Sequence, residues 1–398
     1  MWFARRVWTS ALALAALATL AGNAAVAPAV ATPPPAGVTV RPADADTFVA
    51  AARERVAGMT SREQAAAVVM GHVPTTDAAA LRSYMETTGI GGFLLMGANI
   101  PDDEAALRAL TAALTVDASL PPLIAVDQEG GDVSRLPWDT FPSALTLKGA
   151  PAAAVQDAFA ARAALVRRAG IGVNFGIVAD ETDDPASFIY RRVLGTTPDA
   201  AATGVAAAVA GEAGTAASTL KHFPGHGATE ADSHATIPAT PLSFDEWRTT
   251  DAVPFAAGID ADAPLLMFGH LAYTAVDPAP ASLSAEWHRI AREDLGFTGL
   301  AVTDDLGMLQ ASGDPRYADP AANAVAALAA GNDLVLTVVY STADTAPGIV
   351  DAIVAAVDSG ALPAPRLQEA AERVTALRLQ LAAKGRGLVP CADCAPAE

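Results

Sequence analysis

The alternation of short apolar runs with long alanine-rich stretches is the feature of this sequence that most constrains its fold. Eight apolar runs of strand length occur, near residues 66, 91, 122, 172, 218, 264, 299 and 333. The stretches between them, such as residues 201–210, are rich in alanine, which has the highest helix propensity. Strands that alternate with helices usually pair in parallel, which predicts an α/β protein. Eight such units across about 340 residues predict a single (β/α)8 TIM-type barrel.

A doubly wound open sheet is the alternative α/β architecture. Such a sheet carries a glycine-rich phosphate-binding turn after its first strand. The segments GGDVSRL and GIGGF contain glycines, but their spacing does not match that of such a turn. The closed barrel is therefore the preferred prediction.

Charged residues and histidines directly follow five of the apolar runs. They are Asp127 with Glu129, Asp180, Lys221 with His222, His270, and Asp304 with Asp305. The carboxyl ends of the strands of a (β/α)8 barrel meet on one face, where the active sites of this fold lie. The polarity of loops explains one or two such coincidences but hardly five. We therefore expect a functional site at this face.

The segment KHFPGHGATEADSH, residues 221–234, holds three of the six histidines of the chain. His222 and His226 are four residues apart, a spacing that suits a metal site on a helix. Pro224 and Gly225 lie between them and disfavour that helix. Asp232 and His234 suggest another use, because a carboxylate two residues from an imidazole can hold one ring nitrogen and leave the other to transfer protons.

Asp304 directly follows a predicted buried strand, which would hold its carboxylate rigidly, as a nucleophile requires. Asp305 beside it would point to the other side if the chain stays extended. A rigid carboxylate, a histidine supported by an acid and several charged groups at a barrel mouth suit sugar chemistry. Charged groups bind hydroxyls, and a carboxylate stabilises an oxocarbenium-like transition state.

Several segments together resemble glycoside hydrolase family 3, in particular its single-domain beta-N-acetylhexosaminidase branch. They are AVDQEGGDVSRL, RVLGTTP, LKHFPGHGATEADSHATIP, PASLS, DLGFTGLAVTDDLGM and AALAAGNDLVL. The resemblance as a whole runs from about residue 60 to about residue 380. KHFPGHG followed by DSH is specific to this branch. Related beta-glucosidases generally take their acid/base from a glutamate elsewhere and carry a second domain.

The resemblance implies a role for individual residues. Asp304 matches the catalytic nucleophile, His234 the general acid/base, and Asp232 its partner. Five further positions match residues that bind the sugar: Asp127, Arg135, Arg192, Lys221 and His222. The implied reaction is retaining hydrolysis, without metal or cofactor, through a covalent glycosyl-Asp intermediate. The implied substrate is an amino-sugar oligosaccharide or muropeptide, such as a peptidoglycan fragment or a chitooligosaccharide. The enzyme would release terminal non-reducing N-acetylglucosamine from it. We expect the enzyme to be a monomer.

The sequence departs from the family pattern at three places. The family usually has Arg at Asp132, Asp at Ala228, and Ser-Phe at Val193 and Leu194. An Asp at position 228 would brace the loop that carries His234 through local hydrogen bonds. Two alternatives remain open at this point: a phosphorylase, because a neutral histidine does not repel an incoming phosphate, and a non-catalytic saccharide-binding barrel.

The first 31 residues are predicted to be a secretory signal peptide. Arg5 and Arg6 form its basic region, residues 7–20 its apolar region, and small residues at 29–31 its cleavage site. An N-terminal membrane anchor is the alternative. Asn23 stands where a lipoprotein would have its lipidated cysteine, so we expect a secreted or cell-wall-associated protein without a membrane span after cleavage.

The remaining organisation follows from composition. Residues 32–44 are predicted to be a proline-rich linker, 45–385 the catalytic domain and 386–398 a C-terminal tail. The formal charge of −19 argues against a nucleic-acid partner, which requires clustered Lys and Arg. The two cysteines, Cys391 and Cys394, are too few for a four-ligand zinc site, and a small disulfide ring is expected in an exported protein.

Overall fold

The computed structural model describes residues 42–384. The predicted signal peptide, most of the predicted linker and the tail with Cys391 and Cys394 lie outside the described residues. The first described helix begins at Pro42, so the last residues assigned to the linker are helical. None of the helices in residues 42–384 combines the length and apolar character needed to cross a membrane.

Eight parallel strands close into a barrel, which confirms the predicted fold. The strands are β1 Val69–Gly71, β2 Gly92–Leu95, β3 Leu123–Val126, β4 Val173–Val178, β5 Ala217–Phe223, β6 Leu265–Phe268, β7 Leu300–Asp305 and β8 Leu334–Leu336. Each strand pairs with its neighbours in sequence, and β1 pairs with β8 to close the barrel. All eight apolar runs of the sequence therefore contain a strand.

The α-helices pack outside the barrel and connect its strands. Their bounds are α1 Pro42–Ala57, α2 Ser61–Ala67, α3 Ala78–Thr88, α4 Glu104–Leu114, α5 Ala144–Leu147, α6 Ala152–Arg168, α7 Pro198–Glu212, α8 Phe244–Thr249, α9 Ala252–Asp260, α10 Ala285–Arg289, α11 Leu306–Ala311, α12 Pro320–Ala330, α13 Thr345–Ser359 and α14 Ala364–Ala383. Several begin at side-chain caps that satisfy free backbone N–H groups, as Asp77, Asp103 and Asp319 do for α3, α4 and α12.

The strands are apolar without alternation because both of their faces are covered. Every residue of β4 and β5 is buried, one face by the barrel interior and the other by the surrounding helices. Phe223, at the end of β5, makes edge-to-face contacts with Trp247, Phe255 and Trp287. This aromatic cluster fixes the point where β5 passes into the histidine-rich segment.

The amino-terminal end of the barrel is held by ion pairs. Asp333, fully buried just before β8, binds Arg292 at 2.7 Å, Arg366 at 2.6 Å and Arg373 at 3.0 Å. Arg366 and Arg373 belong to α14, so this carboxylate attaches the last helix to the barrel. A groove of about 950 Å³ also lies at this end, but none of the predicted site residues lines it.

Candidate active site

A cavity of about 160 Å³ opens at the carboxyl ends of the strands. Seven of the eight predicted site residues line it: Asp127, Arg135, Arg192, Lys221, His222, His234 and Asp304. The eighth, Asp232, is hydrogen-bonded to His234. These residues belong to β5, β7 and the segments that follow β3, β4 and β5, so closure of the barrel is what brings them together.

Asp304 lies near the end of β7 and faces the cavity. Its Oδ1 accepts the backbone N–H of Asp305 at 2.8 Å. Burial acts to raise the pKa of Asp304, but the neighbouring His222 and His270, the Asp305 N–H and Lys221 together hold it below its usual value. Asp304 is therefore an ionised carboxylate whose Oδ2 has no hydrogen bond to any described residue.

Asp305 is directed to backbone groups rather than to a ligand. Its Oδ1 accepts N–H groups from Gly307 at 2.9 Å and Val338 at 2.8 Å, and its Oδ2 accepts that of Val339 at 2.8 Å. Burial nevertheless raises the pKa of Asp305 to about 6. The carboxylate thus attaches the loop after β8 to the start of α11, next to Asp304.

Two cations and two carboxylates form a largely buried cluster beside the cavity. Lys221 Nζ lies 2.8 Å from Asp127 Oδ1 and 2.7 Å from Glu129 Oε1. Arg192 binds the two oxygens of Glu129 through Nε and Nη2, at 2.9 and 2.7 Å. Burial opposes ionisation of Glu129, but Lys221 and Arg192 lower its pKa to about 2. Glu129 therefore fixes the position of both cations.

Arg135 is positioned by a hairpin that follows β3, formed by Gln128–Gly130 and Val133–Ser134. The Oε1 of buried Gln128 accepts the backbone N–H groups of Arg135 at 2.9 Å and Leu136 at 2.8 Å. Gln128 Nε2 donates to Ser134 Oγ at 2.6 Å. Arg135 lines the cavity, and its buried Nε has no hydrogen-bond partner among the described residues.

Asp180, fully buried after β4, orients the histidine segment. Its Oδ2 lies 2.7 Å from His222 Nδ1, and its Oδ1 accepts the backbone N–H groups of His222 at 3.1 Å and His226 at 2.6 Å. The carboxylate favours a proton on His222 Nδ1, which leaves Nε2 free of that contact. Burial acts to raise the pKa of Asp180, but the two histidines hold it below its usual value.

His226 packs inside the site wall. Its ring is edge-on to Phe188 at 4.8 Å and to His222 at 5.8 Å between centroids, and neither ring nitrogen has a partner among the described residues. Burial lowers the pKa of His226 to about 4, so the ring is neutral at ordinary pH. Across residues 42–384, His, Cys, Asp and Glu side chains nowhere form a group of three or more suited to a metal ion.

Asp232 and His234 make the contact expected from their spacing. Asp232 Oδ1 lies 2.6 Å from His234 Nδ1 and accepts the His234 backbone N–H at 3.0 Å. Burial acts to raise the pKa of Asp232, but its bonds to His234 hold the pKa below its usual value. Both side chains are more than half exposed, 64% for His234 and 51% for Asp232. The pair thus lies at the rim of the cavity.

The base of this loop is tightly packed. A Cβ at Gly227 would lie 1.6 Å from the backbone oxygen of Glu181, so the segments approach too closely for any side chain there. Ala228, where the family usually has Asp, packs against the apolar core instead. A local brace is present one residue further on, because Thr229 Oγ1 accepts the N–H of Ala231 at 3.2 Å.

The other departures from the family pattern have a structural explanation. Asp132 forms a two-pronged ion pair with Arg191, at 2.6 and 3.1 Å, at the surface beside Arg192. Its charge is therefore compensated locally. Val193 and Leu194 are buried, so apolar side chains suit these positions.

Glu129 and Asp180 are two acids that contact the candidate site residues and to which the sequence assigned no role. Both were visible as acids directly after apolar runs. Their partners, however, lie far away in sequence: Glu129 pairs with Arg192 across 63 residues and Asp180 with His222 across 42. The position of an acid at the end of a strand was thus enough to predict that it lies in the site, but not which residue it pairs with.

Comparison with known proteins places the chain in a family. The sequence profile described as "Glycosyl hydrolase family 3 N terminal domain" matches residues 53–377. A beta-hexosaminidase of Pseudomonas aeruginosa (strain LESB58) is 36% identical over 260 residues, which cover 64% of this chain and 76% of that protein. A beta-hexosaminidase of Stenotrophomonas maltophilia (strain R551-3) is 34% identical over 252 residues, or 61% of this chain and 75% of the relative.

A solved structure agrees with these sequence relatives. A glycoside hydrolase family 3 beta-N-acetylglucosaminidase from Paenibacillus sp. str. FPU-7 superposes with a TM-score of 0.76 at 30% identity. The match covers 82% of this chain, and it spans 63% of the Paenibacillus chain.

Proposed function

Because the chain belongs to glycosyl hydrolase family 3 and is a glycoside hydrolase, we propose that it is a retaining beta-N-acetylhexosaminidase that releases terminal non-reducing N-acetylglucosamine. The observation that carries this proposal is the presence of Asp304 and the bonded pair Asp232 and His234 around one cavity. The names of the relatives support the same substrate class.

The first step would form the covalent intermediate. Asp304 Oδ2 attacks the anomeric carbon while His234 Nε2 donates its proton to the departing glycosidic oxygen. Asp304 Oδ1 is occupied by the Asp305 N–H, which leaves Oδ2 as the attacking atom. The C–O bond of the substrate breaks as the glycosyl-Asp bond forms, and the aglycone leaves with the proton of His234.

The second step would release the sugar. Neutral His234 takes a proton from water, whose oxygen attacks the anomeric carbon and returns Asp304 to its carboxylate form. Asp232, kept ionised by its bonds to His234, holds Nδ1 and so leaves Nε2 for both transfers. A neutral base adds no second negative charge beside Asp304.

The remaining polar residues would bind the sugar. Lys221, Arg192 and Arg135 present donors to its hydroxyls, and Asp127 and His222 complete the set. His234 is exposed at the rim, so the loop that carries it must move inward for the proton transfer. Gly225, whose φ is +135°, lies where this loop leaves β5 and provides the backbone freedom for such a movement, whereas Gly227 is held against Glu181.

The biological setting is part of the proposal. The basic and apolar regions within residues 1–31 support export through a signal peptide, and Asn23 supports release without a lipid anchor. The substrates in that compartment would be peptidoglycan fragments or chitooligosaccharides, hydrolysed by a monomer.

The test is turnover of an aryl beta-N-acetylglucosaminide by the mature protein and by Asp304→Asn, Asp232→Ala and Asp358→Ala. Asp304→Asn keeps the acceptor for the Asp305 N–H but removes the nucleophile, so we expect no measurable turnover. Asp232→Ala removes the orienting contact and should lower kcat by about 10²- to 10⁴-fold. Asp358, exposed at the end of α13, is the control, and Asp358→Ala should leave turnover unchanged.

An inactive wild-type protein, or an unaffected Asp304→Asn variant, would contradict the proposal. Equal losses in the Asp232 and Asp304 variants would contradict the separate roles. Repeating the assay in phosphate distinguishes hydrolysis from phosphorolysis, since only the latter yields a sugar 1-phosphate. A panel of aryl glycosides that differ at the 2-position then measures the preference for the N-acetyl group.

A further inference from the structure

Tyr340 is an exposed aromatic residue that directly follows two residues lining the cavity. It is 69% exposed, the highest value among the large apolar residues of the described part of the chain. It follows Val338 and Val339, which both line the cavity, in the loop after β8. A single exposed apolar residue is ordinary at a protein surface, so exposure alone assigns no role to it.

The backbone of Tyr340 gives the second observation. Its φ is +60°, a left-handed conformation that side chains with a Cβ rarely adopt. The Ser341 N–H donates to the Val338 carbonyl at 3.0 Å, so residues 338–341 form a turn with Tyr340 at its third position. Glycine or asparagine usually occupies that position when φ is positive. Tyr340 therefore adopts a backbone conformation that glycine would adopt without strain. Backbone strain of this type clusters at ligand sites.

The turn is held rigidly with respect to Asp304. Asp305, whose N–H binds Asp304, also binds the N–H groups of Val338 and Val339 through its carboxylate. A Cβ at Gly307 would lie 2.3 Å from the Val339 backbone oxygen, so the turn packs directly on the start of α11. Asp305 therefore contacts both groups: its backbone N–H binds the attacking carboxylate, and its own carboxylate holds the turn that presents the aromatic ring.

We propose that Tyr340 is a stacking platform for the first sugar of the leaving group. This inference rests on the proposed function, in which the terminal N-acetylglucosamine enters the cavity and the rest of the substrate remains at its mouth. The apolar C–H face of a pyranose ring is complementary to an aromatic face, and a rigid tyrosine binds it with little loss of conformational freedom. The residue would select saccharide leaving groups over small ones.

The experiment compares Tyr340→Gly, Tyr340→Phe and Asp262→Gly with the wild-type protein. The substrates are tri-N-acetylchitotriose, which has a sugar leaving group, and beta-N-acetylglucosaminyl fluoride, which has none. Asp262 is the matched control because it also has a positive φ, +64°, but lies before β6 at the opposite end of the barrel. Relief of strain offsets the greater unfolded-state freedom of glycine, so both glycine variants should keep the wild-type melting temperature.

With the trisaccharide, we expect Tyr340→Gly to raise KM about tenfold, equivalent to about 1.4 kcal/mol, with kcat little changed. With the fluoride, its KM should equal that of the wild type. Tyr340→Phe and Asp262→Gly should behave as wild type with both substrates. An unchanged KM of Tyr340→Gly for the trisaccharide, or an equal increase for both substrates, would overturn the inference, as would a loss in Tyr340→Phe equal to that in Tyr340→Gly.

Calorimetric binding separates this inference from the proposed function. We expect Tyr340→Gly to weaken binding of the trisaccharide and to leave binding of free N-acetylglucosamine unchanged. If the wild-type protein hydrolyses neither substrate but shows this difference in binding, the platform stands and the proposed activity fails. If hydrolysis occurs and the variant binds the trisaccharide as tightly as wild type does, the platform fails and the activity stands.

Discussion

Replacement of Glu129 by glutamine probes the cluster that positions Lys221 and Arg192, the two cations proposed to bind the sugar. The side chain is 2% exposed and binds Lys221 and Arg192 with distances of 2.7 to 2.9 Å. Glutamine preserves its shape but removes its charge, which leaves Lys221 paired with Asp127 and Arg192 without an ion pair among the described residues. We therefore expect Glu129→Gln both to lower the stability of the folded protein and to disturb the candidate site.

The magnitude can be obtained in two ways. Breaking a buried ion pair by removing one partner costs about 3–5 kcal/mol. The lowering of the Glu129 pKa from 4.5 to about 2 corresponds to about 3 kcal/mol in favour of its charged form in the folded protein. For a domain of roughly 340 residues, a loss of 3–5 kcal/mol lowers the melting temperature by about 4–7 °C.

The pH dependence gives the prediction a specific sign. The pKa of Glu129 is lower in the folded than in the unfolded protein, so its charge contributes stability above pH 4.5. That contribution is lost as the pH falls from 4.5 towards 2. The difference in unfolding free energy between wild type and Glu129→Gln should therefore be largest near pH 7 and should shrink between pH 4.5 and 3.

The assay is urea unfolding at several pH values, together with steady-state kinetics. The matched control is Glu104→Gln, which breaks another two-pronged pair, with Arg168 at 2.6 and 2.9 Å, away from the cavity. The control should lose less stability and keep its KM, whereas Glu129→Gln should raise KM if its partners Lys221 and Arg192 bind the sugar as proposed. A loss no larger than that of the control, or one that does not change with pH, would refute the reasoning.

Two further predictions concern a buried acid and the base of the loop that carries His234. Burial raises the pKa of Glu212 to about 8, so it lowers stability as the pH rises from 4.5 through 8. Glu212→Gln should be as stable as wild type near pH 4.5, and its free energy of unfolding at pH 8 should be higher than that of wild type by about 4 kcal/mol, as measured by calorimetry. Gly227→Ala must displace the Glu181 backbone and should lower kcat by about 10²-fold. Gly348→Ala, with open space around its Cβ, should leave kcat unchanged, and equal rates in the two variants would contradict this account.

Much of the fold was predictable because it depends on local patterns. Each apolar run was long enough for one strand, and the alanine-rich stretches favoured helices, so the number and order of the barrel strands followed. The contact between Asp232 and His234 was also predictable, because two residues of separation suffice for a side chain to reach its neighbour. The catalytic and binding roles came from the resemblance to a family, and they remain predictions.

Contacts between distant segments were not predictable. Lys221 pairs with Asp127 across 94 residues, and no local pattern indicates that Glu129 would hold the same lysine. The role of Asp305 was equally hidden, since its partners at Val338 and Val339 belong to the next strand's loop. The strain at Tyr340 is a property of a backbone angle that the sequence does not display.

The sequence by itself determined the class of fold, the strands and the face on which the polar residues collect. It did so because hydrophobic burial and helix propensity act on patterns within a few residues. The tertiary structure decided which acids neutralise which cations, which backbone groups the Asp305 carboxylate binds, and which turn lies beside the cavity. Those outcomes depend on distances across the closed barrel, where low exposure to water makes each buried charge require a partner.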